Sequence, residues 1–362
     1  MTSRIHFIFP RFHTNFIDLV DQLSLERQIY WHVLFKHKND DFLNNYNISF
    51  IGIQNNFNPS LQVGPIKLFR TLKKINNYDT LVYRPIGNST PILYFINLLL
   101  VLVYSKIRKI NLLLYNQIDY ERFISIDKKF ELISYLSLIL KFKIITPISS
   151  EVTDTANSKN IFSLIPFYLN TLKFAEVKKD SQKKKIVFVG KLFEERKRFD
   201  IFQNIVEWYS HNPNIEFIIL GIDKGESDNV KDDLVYKKFI AIGVSIFINI
   251  SREDVYEIYK NCDYLVYPSE FEQAGVSPLE AMASKVIPIV FSGMNKMNLS
   301  SNYIKTFYNG FKVDVNHYSE YVRVIDLLIK YPELEEDIKN NCYLYVSRIS
   351  KLSLNAWRDN IF

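Results

Sequence analysis

Short apolar runs alternate with longer stretches of helical period along the first half of the chain, and that order predicts a parallel sheet wrapped by helices. RIHFIFP (4–10) reads as a buried opening strand, ISFIGI (48–53) as a second, YDTLVYRP (78–85) as a third and KINLLLYNQ (109–117) as a fourth. Between the last two, Ser89 or Thr90 is placed to cap a helix that has Pro91 in its first turn and Lys106, Arg108 and Lys109 at its far end. Its apolar stretch, 92–104, is shorter than the roughly 20 residues a spanning helix needs, so it is expected to cross over between parallel strands. A helix over 128–141, a strand over 143–148 and IPFYLN (165–170) close this unit.

The segment KFAEVKKDSQKKK (173–185) has almost no large apolar residue and reads as a solvated connector. Beyond it come strands at KKIVFVG, NIEFIILG, SIFINI, DYLVYP and VIPIVF, with a helix over 199–211 and another begun by Ser251 as its cap. A helical tail runs to Trp357. The predicted fold class is therefore α/β: a Rossmann-like domain over 1–172, a linker over 173–185, a second Rossmann-like domain over 186–350, and a terminal helix over 351–362. Ligands of such sheets bind at the carboxyl ends of the strands, so a cleft between the halves is the expected site.

Composition supports two globular domains and excludes other classes. The 362 residues are 48% hydrophobic and 23% charged, which rules out disorder of the whole chain. Cys262 and Cys342 are too few for a disulfide framework or a thiolate metal site. His6, His13, His32, His37, His211 and His317 show no ligand spacing, and no Asp-x-Asp pair ends a strand, so no metal is expected. Residues 1–172 hold 19 basic and 12 acidic side chains, while 173–362 hold 26 and 27. The basic excess lies in the first half, where it predicts an anionic partner, and an anionic membrane surface touched peripherally is the candidate. No leader pattern opens the sequence, which predicts a cytoplasmic protein.

Candidate chemistry concentrates in DYLVYPSEFEQAGVSPLEAMASKVIPIV (263–290), a strand, a polar loop and a helix. With Ser277 as N-cap and Pro278 in the first turn, Glu280 falls where a capping box puts its acid. The N–H groups of Gly275, Val276 and Ser277 would then face outward at the positive end of a helix, where a phosphate fits.

This stretch resembles the retaining GT-B glycosyltransferases of the group 1 type, family 4, whose hallmark is two glutamates bracketing seven residues. Glu272 and Glu280 do so in EQAGVSPLE, and GKLFEERKRFD (190–200), the helix LEAMA and NGFKVD (309–314) follow the same pattern. The resemblance implies that Glu272 binds donor-sugar hydroxyls and Glu280 the nucleotide ribose. It also implies that Lys191, following Gly190, and Lys197 hold the donor phosphates, with Arg196 competing with Lys197 for the second role. Ala274 stands where the family commonly has an aromatic residue. In the first half, Asp119 and His13 are candidates to orient or deprotonate an acceptor hydroxyl, and Arg84 and Asn88 to touch an anionic acceptor.

The implied activity is transfer of a sugar from a nucleotide diphosphate to a hydroxyl of a glycan or lipid-linked acceptor in surface-polysaccharide assembly, with no cofactor, no metal and no nucleic-acid partner. Another GT-B chemistry, epimerase or phosphorylase, and a silent scaffold remain as alternatives.

Overall fold

The computed structural model describes residues 3–9, 16–33, 46–50, 63–84, 91–115, 141–146, 162–164, 167–174, 183–192, 194–221, 234–270, 272, 275–292 and 303–362. Two compact units emerge: Met1–Tyr168 with Leu352–Phe362, and Leu169–Lys351.

The first unit is a parallel sheet of seven strands: β1 (Ile5–Phe9), β2 (Ile29–Val33), β3 (Ile48–Phe50), β4 (Thr80–Tyr83), β5 (Asn111–Tyr115), β6 (Lys143–Thr146) and β7 (Phe162–Leu164), ordered β3-β2-β1-β4-β5-β6-β7. Successive side chains of a strand point to opposite faces. On one face Ile8, Leu81, Tyr83, Leu112 and Leu114 pack against helices Pro65–Leu72 and Pro91–Ile107. On the other, Phe7, Phe9, Trp31, Val82 and Leu113 pack against helix Ile17–Ser24 and against Trp357 and Ile361. The last two belong to a 30-residue helix, Pro332–Ile361.

β2 was not among the expected strands. Its run IYWHV carries a histidine and a tryptophan, which interrupt the aliphatic signal, yet Trp31 is fully buried and stacks on Phe7 at 4.4 Å. β7 is only three residues long and was not expected; the segment 165–170 read as closing the unit follows it, with 165 and 166 outside the described residues and 167–170 not in a strand.

The second unit has β8 (Lys184–Gly190), β9 (Ile215–Gly221), β10 (Ser245–Ile248), β11 (Tyr264–Tyr267), β12 (Ile287–Phe291) and β13 (Phe311–Val313), in the parallel order β10-β9-β8-β11-β12-β13. β8 and β11 are neighbours in register Ile186↔Tyr264, Val187↔Leu265 and Phe188↔Val266. From β8 the chain winds to one side and from β11 to the other, so the order reverses between them, and ligands of such sheets collect at that point.

The expected boundaries shift. Leu169 is buried in the second core, its N–H donating to Ser350 Oγ at 3.3 Å, so that unit begins at 169 rather than after 172. The expected linker is also shorter at both described ends. Thr171–Phe174 forms a 3₁₀ turn that buries Phe174 completely against Tyr256, ring centroids 4.2 Å apart, and β8 already includes Lys184 and Lys185. Burial of one such ring stabilises by about 2 kcal/mol, enough to dock a short polar segment.

Candidate functional site

The carboxyl ends of β8 and β11 carry the loops 191–198 and 268–275. β8 ends at Gly190 (φ 155), where a side chain would press on the stem of Lys197: an added Cβ would lie 3.4 Å from its Cδ. Gly190 thus leaves the channel through which Lys197 folds back over the sheet. A 3₁₀ turn, Glu195–Lys197, aims Arg196 and Lys197 toward the second loop, and it is closed by Arg198 in the left-handed conformation (φ 48).

Glu272 is where these groups converge. Its Oε1 accepts from Lys197 Nζ in a close ion pair, from Arg196 Nη1 at 3.2 Å and from Ser269 Oγ at 2.9 Å. Lys197 is buried, 5.3 Å from the centre of the Tyr267 ring. Burial lowers its pKa, and Glu272 offsets part of that fall. The Tyr267 hydroxyl is pushed well above its ordinary pKa, first by burial and then by the Glu272 carboxylate, so it stays a neutral donor beside the pair. Both cations that competed for the phosphate role by position therefore reach the same carboxylate, and Lys197 is the buried one.

Lys191 lies 3.4 Å from Glu194, which also meets Arg196 at 2.6 Å. Burial opposes ionisation of Glu194, but Arg196 and Lys191 outweigh it and hold its pKa below the usual carboxylate value. Glu270, the near neighbour of Glu272, instead pairs with Arg198 at 2.6 Å on the exposed side, and its N–H donates to Arg196 O at 2.9 Å. That lattice holds the two loops together. Asn316 Nδ2 donates to Pro268 O at 3.0 Å and accepts at Oδ1 from Tyr321, bracing the start of the second loop.

Helix Val276–Ala283 begins two residues earlier than expected. Gly275, in the left-handed conformation (φ 52), is its N-cap, and no side chain caps it. The expected capping box is therefore absent: Ser277 sits in the first turn, and Glu280, one turn further in, pairs with Arg252 at 3.1 Å with both side chains only 12% exposed. Arg252 opens helix Arg252–Tyr259, whose cap Ser251 accepts from the Asp254 N–H at 3.1 Å as expected. The first N–H groups of a helix have no intrahelical partner, so those of Val276 and Ser277 remain available at its positive end.

Tyr267, Ser269, Glu194 and Arg252 were not singled out from the sequence. Ser269 lies three residues before Glu272 in the same polar loop, a signal that spacing alone offered; Arg252 is 28 residues from Glu280 and gave none. Asp119, His13, Ala274 and Asn88 lie outside the described residues. Arg84 follows β4, its N–H donating to Ile8 O at 3.0 Å.

In the first unit His6 and His32, spaced without pattern in the chain, are brought together by β1 and β2. His6 Nδ1 is 3.2 Å from His32 Nε2, His6 Nε2 is 3.4 Å from Asp79, and His32 Nδ1 is 2.5 Å from Ser49 Oγ.

Residues 170–344 match the family model of glycosyl transferases group 1. A glycogen synthase of Oceanobacillus iheyensis is 29% identical over 120 residues, covering 33% of this chain and only 24% of that protein. Among solved structures, a glycosyltransferase of Rickettsia africae is 14% identical with a TM-score of 0.71, covering 99% of this chain and 96% of its own. HepE of Anabaena, in complex with UDP and glucose, is 13% identical with a TM-score of 0.69 over 99% of both chains. Sucrose-phosphate synthase of Thermosynechococcus elongatus is 13% identical with a TM-score of 0.64 over 99% of both. The sheet order, the paired loops at the carboxyl ends of β8 and β11 and these likenesses agree: the chain has the GT-B fold, and its residues 170–344 match the group 1 glycosyl transferases.

Proposed function

We propose that this protein is a retaining glycosyltransferase that moves a sugar from a nucleotide-diphosphate donor to a hydroxyl of a glycan or lipid-linked acceptor, in the cytoplasm, during assembly of a surface polysaccharide. The observation that carries the donor half is the convergence of Lys197, Arg196 and Ser269 on Glu272 beside Gly190, at the switch point of the second sheet. The complexes of HepE with UDP and UDP-glucose support a donor of that kind.

Cleaving the bond between the sugar and the diphosphate leaves a nucleotide that gains negative charge. Fixed cations and helix-terminal amides aimed at that charge stabilise the transition state more than the ground state. Lys191, Arg196 and Lys197, with the N–H groups of Val276 and Ser277, are the groups for this task. Without a ligand, Glu272 neutralises Lys197. An arriving diphosphate takes over that counterion role, and the freed carboxylate turns to the sugar hydroxyls. Glu280, held by Arg252, binds the ribose. In this reading no metal is required, because protein side chains supply the cationic charge.

A thermal-shift panel of UDP-, GDP-, ADP- and dTDP-sugars tests the reading. One donor at 100 times its dissociation constant stabilises the native state by about 2.7 kcal/mol. Failure of all four to shift the transition, together with no release of nucleotide in the presence of glycan acceptors, refutes it.

A further inference from the structure

The helix Pro91–Ile107 is apolar on two opposite sides. Asn97, Leu98, Val101, Leu102 and Ser105 are buried against the sheet, and Asn97 Nδ2 donates to Val63 O at 2.9 Å. A helix advances about 100° per residue, so Phe95, Ile96, Leu99, Val103 and Ile107 share one arc of about 120° on the outer side. These five are between 39% and 72% exposed. A helix that is apolar all round belongs in a core or against an apolar medium.

Helix Pro65–Leu72 packs beside it on the same sheet face, with Phe69 edge-on to Tyr104 at 5.7 Å. Its outer side exposes Ile66, Lys67, Arg70, Lys73 and Lys74. Across 64–78 and 91–110 there are seven basic residues, Lys67, Arg70, Lys73, Lys74, Lys106, Arg108 and Lys109, and no acidic one. The basic excess of the first half is thus gathered around an exposed apolar stripe.

We propose that the outer sides of these two helices form a docking surface for an anionic lipid bilayer, on which the protein lies without crossing. The charges meet headgroups and the stripe enters the boundary between headgroups and acyl chains, the pattern of a protein bound in the interfacial plane. Charge complementarity fixes the sign of the partner, and the contiguous aliphatic stripe selects lipid over nucleic acid, whose backbone offers nothing apolar to bury it. The helix cannot leave to span a membrane: 17 residues rise only about 26 Å, and its inner side belongs to the core. This inference does not depend on the transfer reaction.

The test is co-sedimentation of the full chain with vesicles of phosphatidylglycerol and phosphatidylcholine in equal parts, and of phosphatidylcholine alone, at low and high salt. Binding to the anionic vesicles that falls as salt rises is expected, since attraction is screened over about 8 Å at physiological ionic strength. The triple variant Arg70→Glu, Lys73→Glu, Lys106→Glu is expected to bind roughly 100-fold more weakly, at about fivefold per basic residue lost. Ile96→Asn with Val103→Asn and Ile107→Asn is expected to lose roughly tenfold with an unchanged melting temperature; Ile107→Asn alone serves if the triple variant misfolds. UDP binding by each variant, measured in parallel, separates this surface from the donor site.

Three results overturn the proposal: no sedimentation with anionic vesicles, equal sedimentation with neutral ones, or wild-type binding by the apolar variants. In the last case a purely basic face remains, as for nucleic acid or an acidic protein. A dimer that the asparagine substitutions dissociate, without vesicle binding, assigns the surface to a second copy of the chain.

Discussion

Lys197 and Glu272, 75 residues apart in sequence, form a largely buried ion pair at the carboxyl ends of β8 and β11. The ammonium also lies 3.5 Å from the Tyr267 hydroxyl, and Glu272 also accepts from Arg196 and Ser269. Removing Glu272 leaves the buried Lys197 ammonium without its carboxylate among the described residues, and a stranded buried charge costs far more than the intact pair contributes. The pair therefore couples stability to any anion that enters.

Lys197→Ala is expected to lower transfer by about 10²-fold or more, the loss of one preorganised donor to a developing anion. Lys191→Ala, at a half-exposed position, is expected to lose less. Steady-state rates with the donor identified by thermal shift decide this. If Arg196→Ala gives the larger loss, Arg196 is the phosphate ligand and Lys197 serves chiefly to hold Glu272.

Glu272→Ala is expected to abolish transfer and also to lower stability, because it leaves the Lys197 ammonium buried without a counterion. Glu272→Gln retains the hydrogen bonds to Lys197 and Ser269 and is expected to fold with a smaller loss while transfer still fails. Denaturant midpoints of the two variants, set beside their rates, separate the roles. Wild-type turnover in the glutamine variant refutes a sugar-binding role for this carboxylate.

How far the sequence carried the argument can be traced residue by residue. The aliphatic runs of β1, β4, β5, β8, β9, β11 and β12 announced themselves because both faces of a covered parallel sheet are apolar. β2 did not, since His32 and Trp31 break that run, and so the meeting of His6 with His32 stayed hidden. Glu280 was singled out as a helix-cap acid, and its pairing with Glu272 came from the family resemblance. Lys197 was named there for the phosphates, but its pairing with Glu272 and that of Arg252 with Glu280 were not foreseen, because they arise through tertiary contacts. The capping box failed for a local reason: Gly275 adopts a left-handed conformation open to glycine, which starts the helix two residues earlier and frees Glu280 for Arg252.

Arg252→Ala is expected to weaken nucleotide binding at least about fivefold, with a smaller change in turnover once donor is saturating. Arg252 holds Glu280 in place without a position of its own at the phosphates. Loss of the ion pair to a largely buried carboxylate is expected to lower stability as well. Calorimetric titration of the variant with the nucleotide alone checks the first statement. Unchanged affinity shows that Glu280 does not contact the ribose.

Chelation by EDTA is expected to leave turnover unchanged, because Lys191, Arg196 and Lys197 supply the charge that a divalent ion would otherwise bring to the diphosphate. Loss of activity with EDTA and its return with magnesium or manganese contradicts this assignment.

The last expectation concerns acid. Asp79 accepts at Oδ1 from the Arg4 N–H and at Oδ2 from the Asn76 N–H, both at 2.8 Å, and its Oδ2 faces His6 Nε2. His6 Nδ1 and His32 Nε2 share one hydrogen bond and His32 Nδ1 and Ser49 Oγ another, while the Ser49 hydroxyl also lies in donating distance of Trp31 O at 3.4 Å. Burial, then His6, then Lys74 push the His32 pKa down to about 3, and burial lowers that of His6 as well, with Asp79 opposing. The His32 imidazole is therefore neutral at neutral pH. In the unfolded chain each histidine takes up a proton near pH 6.5. Between about pH 6.5 and 3 the unfolded state thus binds more protons than the folded one, and stability must fall as pH falls. The slope from His32 approaches about 1.4 kcal/mol per pH unit, and His6 contributes in the same direction. Trp31 and Trp357 are buried in the first unit and report its unfolding by fluorescence. Urea midpoints from pH 7.5 down to pH 4 are expected to decline steadily in the wild type. His32→Gln keeps a neutral donor and acceptor at every pH, so its decline is expected to be shallower. Equal slopes in the two proteins show that His32 already titrates in the folded state.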